Sequence, residues 1–215
     1  MELPTIHGVG PALYLELPAI IVGGLSGGVH AVQKNFDAVG VVVLAIATGL
    51  GGGLMRDVIL SVGPPLVLLN PRYLYAVTAA ALVAFFFAPL FSHIKKVTDF
   101  IDALSLGFFG IAGAERALSL GIPEPGALML GVITAVGGSV ARDVLANDTP
   151  ELLQPGSLYA TPVLFGVAGY IVLEHVGIFH GVVAAFLSIG AICGVRLVAL
   201  WRDWRAPRPR RPRRA

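Results

Sequence analysis

The sequence has few charged residues, a single cysteine and no lysine or arginine in its first 17 positions. Only 13% of its 215 residues are charged and 56% are hydrophobic, whereas about a quarter of a soluble domain is charged. A soluble core cannot bury that much apolar surface, so the composition favours a membrane protein. The lone Cys193 excludes an intramolecular disulfide. Because a signal peptide needs a basic n-region, we expect the first apolar segment to be retained as a helix.

Several catalytic motifs are also missing. The sequence contains no His-Glu-x-x-His, no Gly-x-Ser-x-Gly, no Walker loop and no dinucleotide fingerprint. These absences leave intramembrane hydrolysis, primary pumping and redox chemistry without support. We therefore expect no enzymatic activity, no cofactor, no metal site and no nucleic-acid partner.

Seven apolar segments are long enough to cross a bilayer, which requires about 20 residues. They cover approximately residues 12–33, 38–60, 72–91, 99–119, 126–146, 157–175 and 178–201. The breaks between them contain turn residues and charges, such as Gly63-Pro64-Pro65. The pattern predicts an all-α membrane protein with seven transmembrane helices in one domain, residues 1–201.

Basic residues predict the orientation, because cytoplasmic loops carry an excess of Lys and Arg. With the C-terminus inside, Lys34, Lys95, Lys96 and seven tail arginines are cytoplasmic, and only Arg72 and Arg116 fall outside. We therefore predict an N-out/C-in topology. Residues 202–215 are basic and rich in proline, which indicates a disordered cytoplasmic tail near anionic membrane lipids.

The chain contains an internal repeat. A shift of 86 residues places Gly27 on Gly113 and Arg56-Asp57-Val58 on Arg142-Asp143-Val144. After a two-residue gap, Leu74-Tyr75-Ala76 falls on Leu158-Tyr159-Ala160, and both tyrosines are interpreted as interfacial anchors. Each copy spans three helices, so the second must enter the membrane from the opposite face. This predicts two inverted repeats, at about 12–91 and 99–175, plus an extra helix at about 178–201.

Two runs of small residues occur near the middle of helices two and five. They are Gly51, Gly52 and Gly53 in the first repeat, and Gly137, Gly138 and Ser139 in the second. Consecutive glycines weaken a helix, which membranes tolerate only where backbone is buried in protein or lines a wet cavity. Two interpretations remain, a kinked or broken helix at a permeation path, and close helix packing. Packing is the preferred interpretation for Gly23/Gly27, Gly24/Gly28, Gly177/Gly181 and Gly190/Gly194.

An arginine–aspartate pair follows each run, Arg56-Asp57 and Arg142-Asp143. An arginine at mid-membrane costs about 2.5–3.5 kcal/mol on insertion scales. Adjacent helical residues point about 100° apart, so we do not expect either pair to satisfy itself. Partners must come from other helices or from water, and Asp102 is a candidate. The arginines then either control permeation or belong to a structural ion-pair network.

These stretches resemble the prokaryotic branch of the trimeric intracellular cation (TRIC) channel family, which overlaps bacterial proteins described as glycine transporters. The resemblance covers about residues 20–195 and includes Phe36-Asp37-Ala38-Val39-Gly40 and Asp102-Ala103-Leu104-Ser105-Leu106-Gly107. It implies an inner-membrane homotrimer whose subunits each pass K⁺ and Na⁺ through their own pore. It also implies that helices two and five kink at the glycine runs and line that pore. Ser139 departs from the commoner glycine.

Two functional classes stay open on the residues alone. A channel agrees with the family resemblance, although arginines that line a pore would repel cations. A secondary transporter of a small zwitterion such as glycine agrees with an inverted repeat and with Arg-Asp pairs. The resemblance favours the channel.

Overall fold

A computed structural model describes residues 13–91, 95–154, 158–177 and 179–205, except the side chains of Pro89 and Phe91. It contains seven long helices: α1 (Leu13–Gln33), α2 (Ala38–Leu60), α3 (Pro71–Phe91), α4 (Lys95–Ser119), α5 (Glu124–Leu145), α6 (Ala160–Val176) and α7 (Val182–Trp201). A one-turn helix, Leu66–Leu69, precedes α3, and a 3₁₀ turn, Glu151–Leu153, precedes α6. Most of the predicted tail lies outside the described residues.

The chain is an all-helical membrane protein. Six of the described helices are long and apolar enough to span a bilayer, and α6, with 17 residues, is a shorter apolar helix. Large apolar side chains cover the outside of the bundle, for example Leu90 at 77% exposure and Phe165 at 71%. A soluble monomer rarely exposes apolar surface on this scale, but lipid tails solvate it.

The helices form two groups of three. Helices α1, α2 and α3 pack against one another, as do α4, α5 and α6. The groups meet where α1 packs on α4 and α2 packs on α5, and α7 packs on α4 and α6. Many residues of α1 and α4 are themselves buried, so these two helices form the centre of the bundle.

Corresponding helices of the two groups end in the same way. Ser61 after α2 and Asn147 after α5 both have a left-handed backbone, with φ of 52° and 57°. Asn35 after α1 and Gly121 after α4 are left-handed too, with φ of 57° and 74°. Left-handed residues are common helix terminators, and each pair is separated by the same 86 residues. Local helix endings therefore follow the sequence repeat.

Helices α2 and α5 cross with their backbones in contact. A Cβ atom added to Gly52 would collide with the carbonyl oxygen of Thr134, and one added to Gly138 would collide with that of Thr48. The contact is reciprocal, because Thr48 and Thr134 occupy corresponding positions in the repeat. Gly52 and Gly138 therefore allow the two halves to approach closely, as small residues do in membrane proteins.

The two glycine runs do not interrupt their helices. Helix α2 is continuous from Ala38 to Leu60, and α5 is continuous from Glu124 to Leu145. The expectation of a broken helix is therefore wrong for this conformation, because the crossing helix supports the glycine backbone. Whether either helix bends here without breaking stays a prediction.

The other glycine spacings divide into two classes. Gly23, Gly24, Gly27 and Gly28 lie in close contact with neighbouring helices, which confirms the packing interpretation of α1. Gly190 and Gly194 instead lie on the exposed face of α7, and no atom of the described residues lies within 4 Å of a Cβ added to either. Gly177 and Gly181 have φ of 77° and 56° and belong to the turn between α6 and α7. Close packing between helices of one chain therefore does not explain these last four glycines, and the packing interpretation is wrong for them.

Substitution of the crossing glycines is expected to destabilise the protein. Gly52→Ala or Gly138→Ala places a methyl group against a backbone carbonyl, and overpacking of this kind costs about 1–3 kcal/mol. Gly53→Ala is the matched control, because no atom of the part of the chain that the structure describes lies within 4 Å of its added Cβ. Thermal unfolding in detergent should show a lower midpoint for the first two variants and an unchanged or slightly higher one for the control. Equal midpoints for all three would contradict the close crossing.

Candidate functional site

The first of two buried polar clusters surrounds Arg142, near the end of α5. Its Nη1 donates to Ser26 Oγ of α1 at 2.9 Å and lies 3.0 Å from Asp102 Oδ1 of α4. Its Nε donates to Asp143 Oδ1 at 2.8 Å. The Tyr159 hydroxyl lies 3.4 Å from the same Asp102 oxygen. These five residues are named the Arg142 cluster.

The second cluster surrounds Arg56, near the end of α2. Arg56 Nη1 lies 2.8 Å from Glu16 Oε1 of α1, and its Nε donates to Asp57 Oδ1 at 2.8 Å. The Tyr73 hydroxyl of α3 donates to Glu16. Arg56, Asp57, Glu16 and Tyr73, named the Arg56 cluster, are each at most 6% exposed. Carboxylates thus compensate the arginine charge inside the protein, where an unpaired charge would be costly.

The two clusters use corresponding residues. Glu16 and Asp102, Arg56 and Arg142, and Tyr73 and Tyr159 are each 86 residues apart. In both clusters the second aspartate oxygen accepts a backbone N–H from the following segment, Leu66 in one and Glu151 in the other. Each cluster therefore ties the first part of one helix to the end of the next helix and to the loop beyond it.

Two expectations about these residues are wrong. Arginine and its adjacent aspartate do bond to each other in both clusters, because the arginine side chain is long enough to reach the neighbouring carboxylate. In the structure, Tyr73 rather than Tyr75 occupies the position in the first repeat that corresponds to Tyr159 in the second. The two repeats therefore align here without a gap. Tyr75 is 70% exposed, whereas Tyr73 and Tyr159 are buried, so Tyr159 is not an interfacial anchor.

A cavity of about 800 Å³ leads to the Arg142 cluster. It lies at the end of the bundle where α1, α5 and α7 finish and α4 begins. Its lining includes the largely buried Ser26, Asp102 and Arg142 and the more exposed Lys95, Asp148 and Gln154. We name this cavity the vestibule and the Arg142 cluster its floor.

The Arg56 cluster lies beside much less space. The cavity around Glu16, Arg56 and Tyr73 has a volume of only about 30 Å³ and is otherwise lined mainly by apolar side chains. The two clusters contain the same types of residue but differ in the size of the cavity beside them. In this conformation a large cavity reaches the Arg142 cluster, whereas the Arg56 cluster is enclosed by protein.

Further ion pairs lie along the vestibule. His30 Nε2 lies 2.9 Å from Asp148 Oδ2, and Lys34 bonds the other oxygen. The Lys34 ammonium holds the pKa of Asp148 below its ordinary value. A lowered carboxyl pKa stabilises the folded state above the unfolded pKa, and this contribution is lost as the pH falls through the folded pKa.

The extra helix contributes Arg196, which is 3% exposed and pairs with Glu151. Its Cζ lies 4.8 Å from the centroid of the Tyr159 ring. Burial raises the pKa of the Glu151 carboxyl, nearby Asp102 acts in the same direction, and Arg196 opposes both. Arg196 therefore favours the ionised form of Glu151.

The structure brings together only part of the predicted site. Arg56, Asp57, Arg142, Asp143 and the candidate partner Asp102 lie in the two clusters. Gly51, Gly52, Gly137 and Gly138 lie at the α2–α5 crossing, and Gly53 faces open space. Ser139 Oγ donates to the Val136 carbonyl oxygen of its own helix. Sequence reasoning assigned no site role to Ser26, Tyr73, Glu16 or Arg196, although an 86-residue shift from Asp102 indicates Glu16.

A family model described as Glycine transporter matches residues 13–89 and, again, residues 99–175. A UPF0126 membrane protein of Deinococcus radiodurans is 31% identical over 89% of this chain and 85% of its own length. The UPF0126 inner membrane protein YadS of Escherichia coli is 30% identical over 71% of this chain and 74% of its own length.

Two solved structures share the fold at comparable identity. A TRIC cation channel studied for its conductance superposes with a TM-score of 0.81 at 32% identity, covering 93% of this chain and 97% of the other. The TRIC trimeric intracellular cation channel orthologue from Rhodobacter sphaeroides gives a TM-score of 0.81 at 31% identity, covering 89% and 97%. The predicted resemblance to prokaryotic TRIC channels, and its overlap with the Glycine transporter family, are confirmed.

Removal of Arg142 tests its structural role. Arg142→Met leaves Asp102 and Asp143 without their guanidinium, and breaking a buried pair costs about 3–5 kcal/mol. We expect a large loss of thermal stability in detergent that Asp143→Asn alone rescues poorly, since Asp102 stays charged. The triple variant with Asp102→Asn and Asp143→Asn should recover most of it. Full rescue by Asp143→Asn alone would contradict the shared network.

Proposed function

We propose, from the premise that this chain belongs to the family described as Glycine transporter, that it is a cation channel passing K⁺ and Na⁺ along a path inside each subunit. Two TRIC cation channels that it resembles over most of its length support this assignment. The observation that carries it is the charge of the vestibule.

The vestibule is lined by more acidic than basic groups. Among the described residues, five carboxylates line it, against three permanently charged basic side chains. One of the carboxylates, Asp148, is paired with His30 and also with Lys34, so an excess of one negative charge remains when His30 is neutral. The carboxylates are Asp99, Asp102, Asp143, Asp148 and Glu151, and the cations are Lys95, Arg142 and Arg196. A cleft with net negative charge concentrates cations and repels anions. A binding site for a zwitterion, which carries no net charge, does not require an excess of negative charge.

The arginines are compatible with cation passage because carboxylates surround them. Arg142 contacts two aspartates and Arg56 contacts a glutamate and an aspartate. Neither cluster therefore presents the ring of unpaired positive charge that would exclude cations. In this proposal the clusters act as gates at the two ends of the path, and only the gate at the Arg142 end is accessible.

The proposed path runs past the α2–α5 crossing. The corresponding clusters and the twofold match of one family model support two inverted repeats, about 12–91 and 99–175, with α7 as the extra helix. Inverted repeats place functional sites near mid-membrane at their interface. The close glycine contact leaves little room there, so conduction requires α2 and α5 to bend or separate at Gly51–Gly53 and Gly137–Ser139.

Assembly and location follow the resemblance. We propose a homotrimer, as the TRIC name describes for the Rhodobacter sphaeroides protein, in contact with membrane lipids. The name of YadS supports the inner membrane as its location.

The channel proposal predicts electrical activity of the purified protein. Planar-bilayer recording should show discrete openings that carry K⁺ and Na⁺, and liposomes should not show saturable uptake of labelled glycine. Slow saturable glycine uptake without openings would favour the carrier.

The vestibule charge predicts a specific effect of Asp99. Asp99→Asn should lower K⁺ flux at least about twofold at low ionic strength, because it removes charge that concentrates cations. The difference should shrink at high salt, where charges are screened. Asp203→Asn is the matched control, since Asp203 is an exposed aspartate just beyond α7. Equal losses in both variants, or a loss that persists at high salt, would count against steering by the vestibule.

The proposed N-out/C-in topology can be tested by cysteine accessibility. In a Cys193→Ala background, Lys96→Cys and Glu124→Cys place exposed thiols at opposite ends of α4 and the following loop. An impermeant maleimide added outside intact cells should label position 124 only, and position 96 should react after permeabilisation. External labelling of position 96 would reverse the proposed orientation.

A further inference from the structure

We propose that Arg196 of α7 is a positioning residue of the channel. It holds the Tyr159 ring and, through that ring, keeps the floor of the vestibule closed. This inference rests on the proposed channel function and adds a control element that lies outside the repeated helices.

Arg196 reaches from α7 into the second repeat. Its guanidinium pairs with Glu151 of the 3₁₀ turn and lies over the face of Tyr159 with 4.8 Å between Cζ and the ring centroid. The Arg196 and Tyr159 side chains are both buried, at 3% and 1% exposure. A cation over an aromatic face is held more strongly when it is desolvated. Arg196 therefore constrains both the loop after α5 and the ring of Tyr159.

Tyr159 connects Arg196 to the other residues of the vestibule floor. Its hydroxyl lies 3.4 Å from Asp102 Oδ1, the oxygen that Arg142 and Ser26 also contact at 3.0 and 3.4 Å. A displaced Tyr159 would remove one donor from this oxygen and let the Asp102 carboxylate turn away from Arg142. The floor of the vestibule is the place where such a movement widens the path.

The Arg56 cluster lacks this control among the described residues. Tyr73 occupies the position of Tyr159 there, yet no described arginine lies over its ring. The family model matches only up to residue 175, so it does not include α7. The extra helix therefore acts on one cluster of the two, which makes the two gates unequal.

The test compares K⁺ flux in liposomes for the full-length parent, Arg196→Gln and Arg202→Gln. Arg202 is the matched control, because it caps the same helix and is exposed. We expect Arg196→Gln to raise flux per folded protein by about threefold or more, the shift that loss of a cation–π contact of ordinary strength would cause. Arg202→Gln should match the parent. Unchanged or reduced flux in Arg196→Gln would overturn the inference.

A second variant separates positioning from mere structural support. Tyr159→Phe keeps the ring under Arg196 but removes the hydroxyl that reaches Asp102. It should raise flux by a similar factor, and the double variant should exceed neither single variant, because both act through one contact. Multiplicative increases would contradict action through Tyr159. A purely structural Arg196 would lower the melting temperature without changing flux per folded molecule.

Folding failure does not end the test. If Arg196→Gln cannot be purified, Tyr159→Phe carries the test alone, because it removes the hydroxyl that reaches Asp102 and leaves every vestibule charge in place, and unchanged flux in this variant would overturn the inference. Parent flux no greater than that of empty liposomes would instead overturn the channel proposal, and the role of Arg196 with it. If the parent conducts K⁺ and the variants conduct equally well, the inference about Arg196 is wrong and the channel proposal stands.

Discussion

A guanidinium buried inside a membrane protein needs carboxylates around it, and this requirement organises the whole bundle. Arg56 and Arg142 each stand near the end of a helix, and each meets a carboxylate from the preceding helix of its own half. The adjacent aspartate binds the arginine on one oxygen and the backbone of the next segment on the other. One ion-pair network thus sets the relative position of two helices and the loop that follows them, twice in one chain.

The second constraint is the close crossing of α2 and α5. Its glycines meet carbonyl groups of the opposite helix, so the halves share a backbone contact that side chains cannot provide. In the proposed channel, the same contact lies where the path between the halves would run. Packing and the proposed permeation therefore make opposite demands on Gly52 and Gly138, and the weak helix propensity of glycine would allow the helices to bend there when the proposed path opens.

The surroundings of the two repeated halves differ. Both clusters contain an arginine, two carboxylates and a tyrosine, but only one lies at the floor of a large cavity. The difference arises from what surrounds the repeat. Helix α7 packs on α4 and α6 and inserts Arg196 beside Tyr159, whereas the first half has no helix in the equivalent place among the described residues.

The sequence by itself determined the seven helices, their approximate ends and the 86-residue repeat, because bilayer thickness sets the length of an apolar segment and turn residues end it. It also indicated that Arg56 and Arg142 need partners, and it suggested Asp102. Only the tertiary structure decided that Glu16 is the partner of Arg56, that Tyr73 rather than Tyr75 corresponds to Tyr159, and that Gly190 faces outward. Each of these depends on which face of a helix its neighbour covers, and that rotation follows from packing among several helices rather than from any one segment.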